Sequence, residues 1–301
     1  MEEQIGLKSE ELRAALEDAL AGEYRRLAEL LARHGGMPGP RPNLALATAF
    51  GEAVRGLGKG ARKVLDTLAR EACDAENARI FLPTAAAHGY AARIGTDGVH
   101  AWNGLFELCA DDRVPVRLGL ASALVAWTTR RGLTPLLVEA EHWITHEDRD
   151  HRFAACAIVL DVAGTPGTLA QLEEPARLLT WVEAVVREIT DAPRAAERSP
   201  ARRRLLSALP SAIAEVSATM RGGIDGMAWL AERLAEARHP DVRVAMEQAI
   251  DRLRRGGRAQ SAVVVEALRA ALASSAKPPR DPARIREGMS GRGKKGRNRS
   301  H

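Results

Sequence analysis

Five times along this chain, a short polar stretch leads into an arginine, followed by alanine and aliphatic residues at helical spacing. The clearest copy is Asp111-Asp112-Arg113-Val114-Pro115-Val116-Arg117, running on through Leu120, Ala123 and Leu124 to Trp127. The others are Asp74 to Arg79, Asp148 to Arg152, Ser199-Pro200-Ala201-Arg202, and His239-Pro240-Asp241-Val242-Arg243. Successive arginines Arg79, Arg117, Arg152, Arg202 and Arg243 lie 38, 35, 50 and 41 residues apart. A pair of helices with its two turns takes about 40 to 47 residues in stacked arrays, so this spacing predicts one helix pair per copy.

Each copy has the chemistry of a helix start. An acid or hydroxyl side chain takes up backbone N–H groups that lack a partner in the first turn. A proline in the first turn has no N–H to lose. The helices that follow are too short and one-sided to stand alone. Stacking pairs side by side gives their apolar faces a continuous core. Alanines such as Ala121, Ala123, Ala154, Ala155, Ala157, Ala245 and Ala249 permit close helix approach.

The rest of the chain agrees. Aromatic residues are only 4 % while 46 % of the chain is apolar, which favours helices over strands. Ser9 reads as the cap of one N-terminal helix to about Arg33, with Leu12, Leu16, Leu20, Leu27 and Leu31 on one face. Three glycines and three prolines between His34 and Pro42 end it. Asn43 caps a second helix to about Leu57, and a third runs from about Ala61 to Cys73. Partner helices are expected over 99–110, 135–146, 175–190 and 226–238, with a last one over 258–274. Pro210 is expected to divide the fourth unit, because an interior proline removes a backbone hydrogen bond and clashes with the preceding turn.

The acid–Val–Arg starts at Asp112–Arg117 and Asp241–Arg243 resemble those of the HEAT-repeat family, and the likeness covers about residues 74–255. It implies an all-α fold: a right-handed α-solenoid of about five to six HEAT-like helix pairs. Residues 1–42 are then an N-terminal capping helix and linker, residues 43–276 the solenoid, and residues 277–301 a disordered basic tail. In that family the arginines form a ladder with acids of the neighbouring repeat, a role that falls here to Arg79, Arg117, Arg152 and Arg243. Arg202 has no acid immediately ahead of it and marks the weakest unit.

Net charge is +5, but residues 277–301 carry nine Lys and Arg against two acids, so the remainder is −2. The body therefore offers no bulk attraction for nucleic acid, while Arg292, Lys294, Lys295, Arg297 and Arg299 offer contacts for phosphates or an acidic protein surface. No aromatic residue is interleaved with them, so base stacking is not expected of the tail.

The densest polar stretch is Glu141 to His151. His142 and His146 are four residues apart, and with His151 they are the candidate metal ligands; the competing reading is a polar turn whose acids cap the next helix. It is not a His-Glu-x-x-His motif, because Glu147 follows the second histidine. HEAT-like di-iron hydroxylases carry several His-Glu dipeptides, and this chain has one. HEAT-like DNA glycosylases combine an acid with tryptophans, for which Glu147 and Trp143 are the candidates, with Trp127, Trp181 and Trp229 as further rings. Gly56-Leu57-Gly58-Lys59-Gly60 follows no strand, so no nucleotide loop is read there. Cys73, Cys109 and Cys156 are far apart and read as small apolar filler.

The functional expectation is a non-enzymatic binding scaffold, with no cofactor, whose concave face holds a protein partner and whose tail adds electrostatic contact. The alternative is a nucleic-acid binder or glycosylase-like repair enzyme. No run of about eighteen apolar residues exists and the N-terminus is acidic, so the expectation is a cytoplasmic chain without a membrane span or secretory signal. Its alanine and arginine richness suits a bacterial source.

Overall fold

A computed structural model describes residues 8–170, 172–219, 225–257 and 262–275. These fold as fourteen α-helices and two short 3-10 turns, with no strand among the described residues. The chain is all-α. None of its described helices is long and apolar enough to cross a membrane. The tail residues Arg292, Lys294, Lys295, Arg297 and Arg299 lie outside the described residues.

Two helices, α1 (Ser9–Leu20) and α2 (Tyr24–His34), open the chain as a hairpin. The single helix expected here is broken at Gly22, whose φ of +107° is one that a side chain rarely adopts. Turning back lets Leu12, Leu16, Leu27 and Leu31 face one another, all buried. Ser9 is the first helical residue and Lys8 the cap position, which makes no side-chain cap bond.

Twelve further helices alternate. Those at odd positions are α3 (Leu44–Arg55), α5 (Phe81–Arg93), α7 (Val114–Arg131), α9 (Arg149–Ala163), α11 (Pro200–Thr219) and α13 (Pro240–Arg255). Each packs on the next of this set: α3 on α5, α5 on α7, α7 on α9, α9 on α11, α11 on α13. The intervening helices are α4 (Gly60–Ala69), α6 (Gly98–Cys109), α8 (Thr134–Trp143), α10 (Pro175–Thr190), α12 (Gly226–Glu236) and α14 (Ala262–Ser274). Among these, α4 packs on α6, α8 on α10, and α12 on α14.

Small residues set the spacing of the first set. A Cβ on Gly51 of α3 would lie 2.7 Å from the backbone oxygen of His88 in α5. The α5–α7 contact is equally close, with Thr84 donating its hydroxyl to the Pro115 carbonyl at 3.2 Å.

Two contacts skip a member of the set. Arg130 of α7 reaches Glu52 of α3 at 3.1 Å, across α5. Arg204 of α11 donates to the carbonyl of Asp111, just before α7, at 3.0 Å, across α9. Enclosed by α2, α3, α4, α6 and α7, helix α5 is buried from Phe81 to Ala91; α9, enclosed by α6, α7, α8 and α11, is buried from Phe153 to Leu160.

Helix starts follow the sequence in part. Asn43 caps α3 by accepting from Leu46 N, Asp148 caps α9 by accepting from Asp150 N and His151 N, and Ser199 accepts from Arg202 N at the start of α11. The cap position of α7 is Arg113 rather than Asp112, and Asp111 accepts from Arg113 N. Asp74 to Arg79 does not open an α-helix: Asn77 caps a 3-10 turn over Ala78–Ile80, and α5 begins at Phe81. Thr134 is the first residue of α8, and the cap position, Leu133, makes no side-chain cap bond. The second and third helices end at Arg55 and Ala69, short of expectation.

Pro210 does not divide the fourth unit: α11 runs unbroken through it for 20 residues. Burial explains this. Pro210 and its neighbours Ala208, Leu209, Ala212 and Ile213 are all buried, and packing against α9 and α13 holds the turn despite the lost hydrogen bond.

Candidate binding cleft

The polar stretch singled out by sequence folds as the turn between α8 and α9. Trp143 is the last residue of α8, so Glu147 is not on the same helix and is exposed, while the Trp143 ring is buried. Trp143 belongs to an aromatic cluster: its ring lies 6.0 Å from Trp102, which lies 5.4 Å from Trp127, and Phe106 is 5.6 Å away. Trp143 and Glu147 are therefore not brought together as a ring-and-acid pair.

The histidines close that cluster. His151 stacks on Phe106 with centroids 4.0 Å apart, and its Nε2 lies 2.8 Å from the Phe106 carbonyl, to which it donates. Nδ1 of His146 accepts from Asp148 N at 3.2 Å. His142 is exposed on α8. No group of three His, Cys, Asp or Glu side chains is gathered for a metal ion among the described residues. Hydrogen bonds from His151 N and Asp150 N hold the Asp148 carboxyl below its ordinary range, as a helix cap does.

The arginines expected to form a ladder take several partners. Arg79 binds Glu71 through two nitrogens, at 2.5 and 2.9 Å, just beyond the end of α4. Arg152 of α9 reaches Glu188 of α10 at 3.0 Å and the His146 carbonyl. Arg117 binds the Asp112 carbonyl, and Arg243 binds those of Ala237 and Leu272. Arg202, in the unit that reads weakest, is 3 % exposed and pairs with Asp241 of α13 at 2.8 Å. Arg177 makes a two-pronged bond to Glu141 between α10 and α8, at 2.6 and 2.7 Å, which holds that carboxyl down. Arg62 does the same for Asp97 between α4 and the start of α6. These last two pairings carry no repeat signature and were not legible in the sequence.

Cys109 and Cys156 are buried, and burial pushes both thiols well above the ordinary cysteine range. Cys73 is half-buried, with its thiol likewise raised by burial.

The even-numbered helices part between α10 and α12. A cavity of about 320 Å³ opens there, floored by Val182 and Val186 of α10, Ile213 of α11, and Val242 and Met246 of α13. Trp229 of α12 forms one wall, half-buried, its indole N–H donating to Glu183 at 2.9 Å. Arg233 lies 3.5 Å from the same carboxylate and 3.2 Å from Glu236. Two further cations line the cleft, Arg187 and Arg238, both exposed and without an ion pair or side-chain hydrogen bond. The cleft thus presents apolar surface of ligand-site size with unpaired positive charge at its edge. No sequence signal marked it: Arg187 and Arg238 look like ordinary surface arginines, and it is the parting of α10 from α12 that gathers them.

In comparisons with protein-family models, with curated proteins and with solved structures, the chain matches none.

Proposed function

We propose that this chain is a HEAT-like α-solenoid acting as a non-enzymatic scaffold, and that it holds a protein partner in the cleft between α10 and α12. The succession α3–α5–α7–α9–α11–α13, with intervening helices beside it, supports the solenoid reading. So does Arg202–Asp241, which ties consecutive units through an arginine and an acid. The observation that carries the binding reading is the cleft itself, an apolar floor left open beside two unpaired arginines. Both α5 and α9 are buried along most of their length, so an inner face is not the open surface in those two places.

The partner is identified by complementarity. It presents an apolar side chain to Val186 and Trp229, above the buried floor of Ile213 and Met246, flanked by Asp or Glu for Arg187 and Arg238. Selection of displayed peptides on the full-length chain tests this. Enriched peptides are expected to place an acid within a few residues of a large apolar residue and to shift the fluorescence of Trp229. Arg187→Glu with Arg238→Glu should abolish their binding while the thermal midpoint stays put, because both side chains are exposed and unpaired. Enrichment indifferent to that double change, or no enrichment, overturns the reading.

A further inference from the structure

The contact between α4 and α6 is unlike its neighbours. Helices that pack in pairs normally meet through apolar stripes. Here α6 turns His100, Asn103, Gly104 and Glu107, a stripe at helical spacing, towards Asp66 and Arg70 of α4 and its end. Between them lies a recess of about 530 Å³, with Tyr90 of α5 at its floor.

The floor is built and fixed. Tyr90 is 2 % exposed and donates its hydroxyl to Asp66 Oδ1 at 2.7 Å. His100 Nε2 donates to the same oxygen at 2.9 Å. Burial, then the Asp66 hydrogen bond, push the Tyr90 phenol far above its ordinary range, so it stays a donor. Gly104 lies against the ring: a Cβ there would come within 2.5 to 2.7 Å of Tyr90 atoms. Both donors fall on Oδ1, so Asp66 Oδ2 is left with no protein partner.

The remaining groups divide by charge. Asp111 is neutralised by the Arg113 fork at 2.6 and 3.0 Å. Glu107, Asn103 and Arg70 are exposed and make no side-chain hydrogen bond or ion pair. The recess therefore offers two carboxylate acceptors, Asp66 Oδ2 and Glu107, one guanidinium fork, and one amide able to donate and accept. A primary ammonium, with three donors, suits the two carboxylates; a planar carboxylate suits the arginine fork. A plain anion meets two like charges, and a plain amine leaves Arg70 facing it.

We propose that this recess binds a small zwitterion of the α-amino-acid type, with its ammonium between Asp66 and Glu107 and its carboxylate on Arg70. The proposal is independent of the α10–α12 cleft.

Saturation-transfer NMR on the full chain tests it, using pools of the common L-amino acids as probes, with putrescine and acetate as the amine-only and acid-only controls. At least one amino acid is expected to receive magnetisation, and both controls to receive much less. Glu107→Gln and Arg70→Gln should each weaken that binding by about tenfold. Both replace exposed, unpaired groups, so an unchanged thermal midpoint certifies folding. Absence of transfer to every amino acid overturns the proposal. So does putrescine or acetate binding as well as the amino acid, or binding that survives both variants.

Discussion

Single residues here are placed by what they bury. His88 of α5 is 5 % exposed and touches Thr48 Oγ1 at 3.3 Å. Burial pushes its pKa down to about 4, so the folded chain holds it neutral. An unfolded chain takes up that proton near pH 6.5, and it binds more protons than the native state between about pH 6.5 and 4. Stability therefore falls as pH drops through that window, by up to about 3 kcal/mol from this group. Urea unfolding of the wild type should weaken more between about pH 7 and pH 4.5 than that of His88→Asn. Equal losses would remove His88 as the source. Arg202 is placed in the same way: no acid stands immediately before it in sequence, yet its side chain is 3 % exposed and its acid lies 39 residues ahead.

Single helices are governed by how closely they approach. Gly51 faces the backbone of α5, and main-chain atoms at 2.7 Å cannot swing aside as a flexible side chain does. Gly51→Ala is expected to cost about 1–3 kcal/mol through overpacking. Gly56→Ala, five residues on with open space around it, should be close to neutral. Urea midpoints of the two variants check this, and equal midpoints would mean that α3 and α5 are less tightly seated than their contacts indicate.

Helix existence was legible from apolar spacing and cap residues, and the bounds of α10 were read to the residue. Two errors had one cause. Leu12 to Leu31 keep helical phase across Gly22, which hides the turn there, and burial overrides the break that Pro210 signals. Periodicity records which face is apolar, not whether the chain turns back to bury it. The cleft and the recess were illegible for a different reason, since each is assembled from helices far apart in sequence whose lining residues look ordinary one at a time.

The whole molecule is bound together by more than nearest neighbours. A helix covered on every side opens only when its surroundings open. Amides of α5 and α9 should therefore be the slowest to exchange with deuterium, and those of α1, α2 and α14 at the ends should be faster. Mass spectrometry of peptic fragments reads this directly; exchange in α5 or α9 as fast as in α14 would show that the units open one at a time.

The bridges from Arg130 to Glu52 and from Arg204 to the Asp111 carbonyl join residues 78 and 93 positions apart. Modules that touch only adjacent copies can be deleted or duplicated like beads on a string. In this chain, removing one hairpin would hand Glu52 or Asp111 a stranger, so each unit is fitted to its own address.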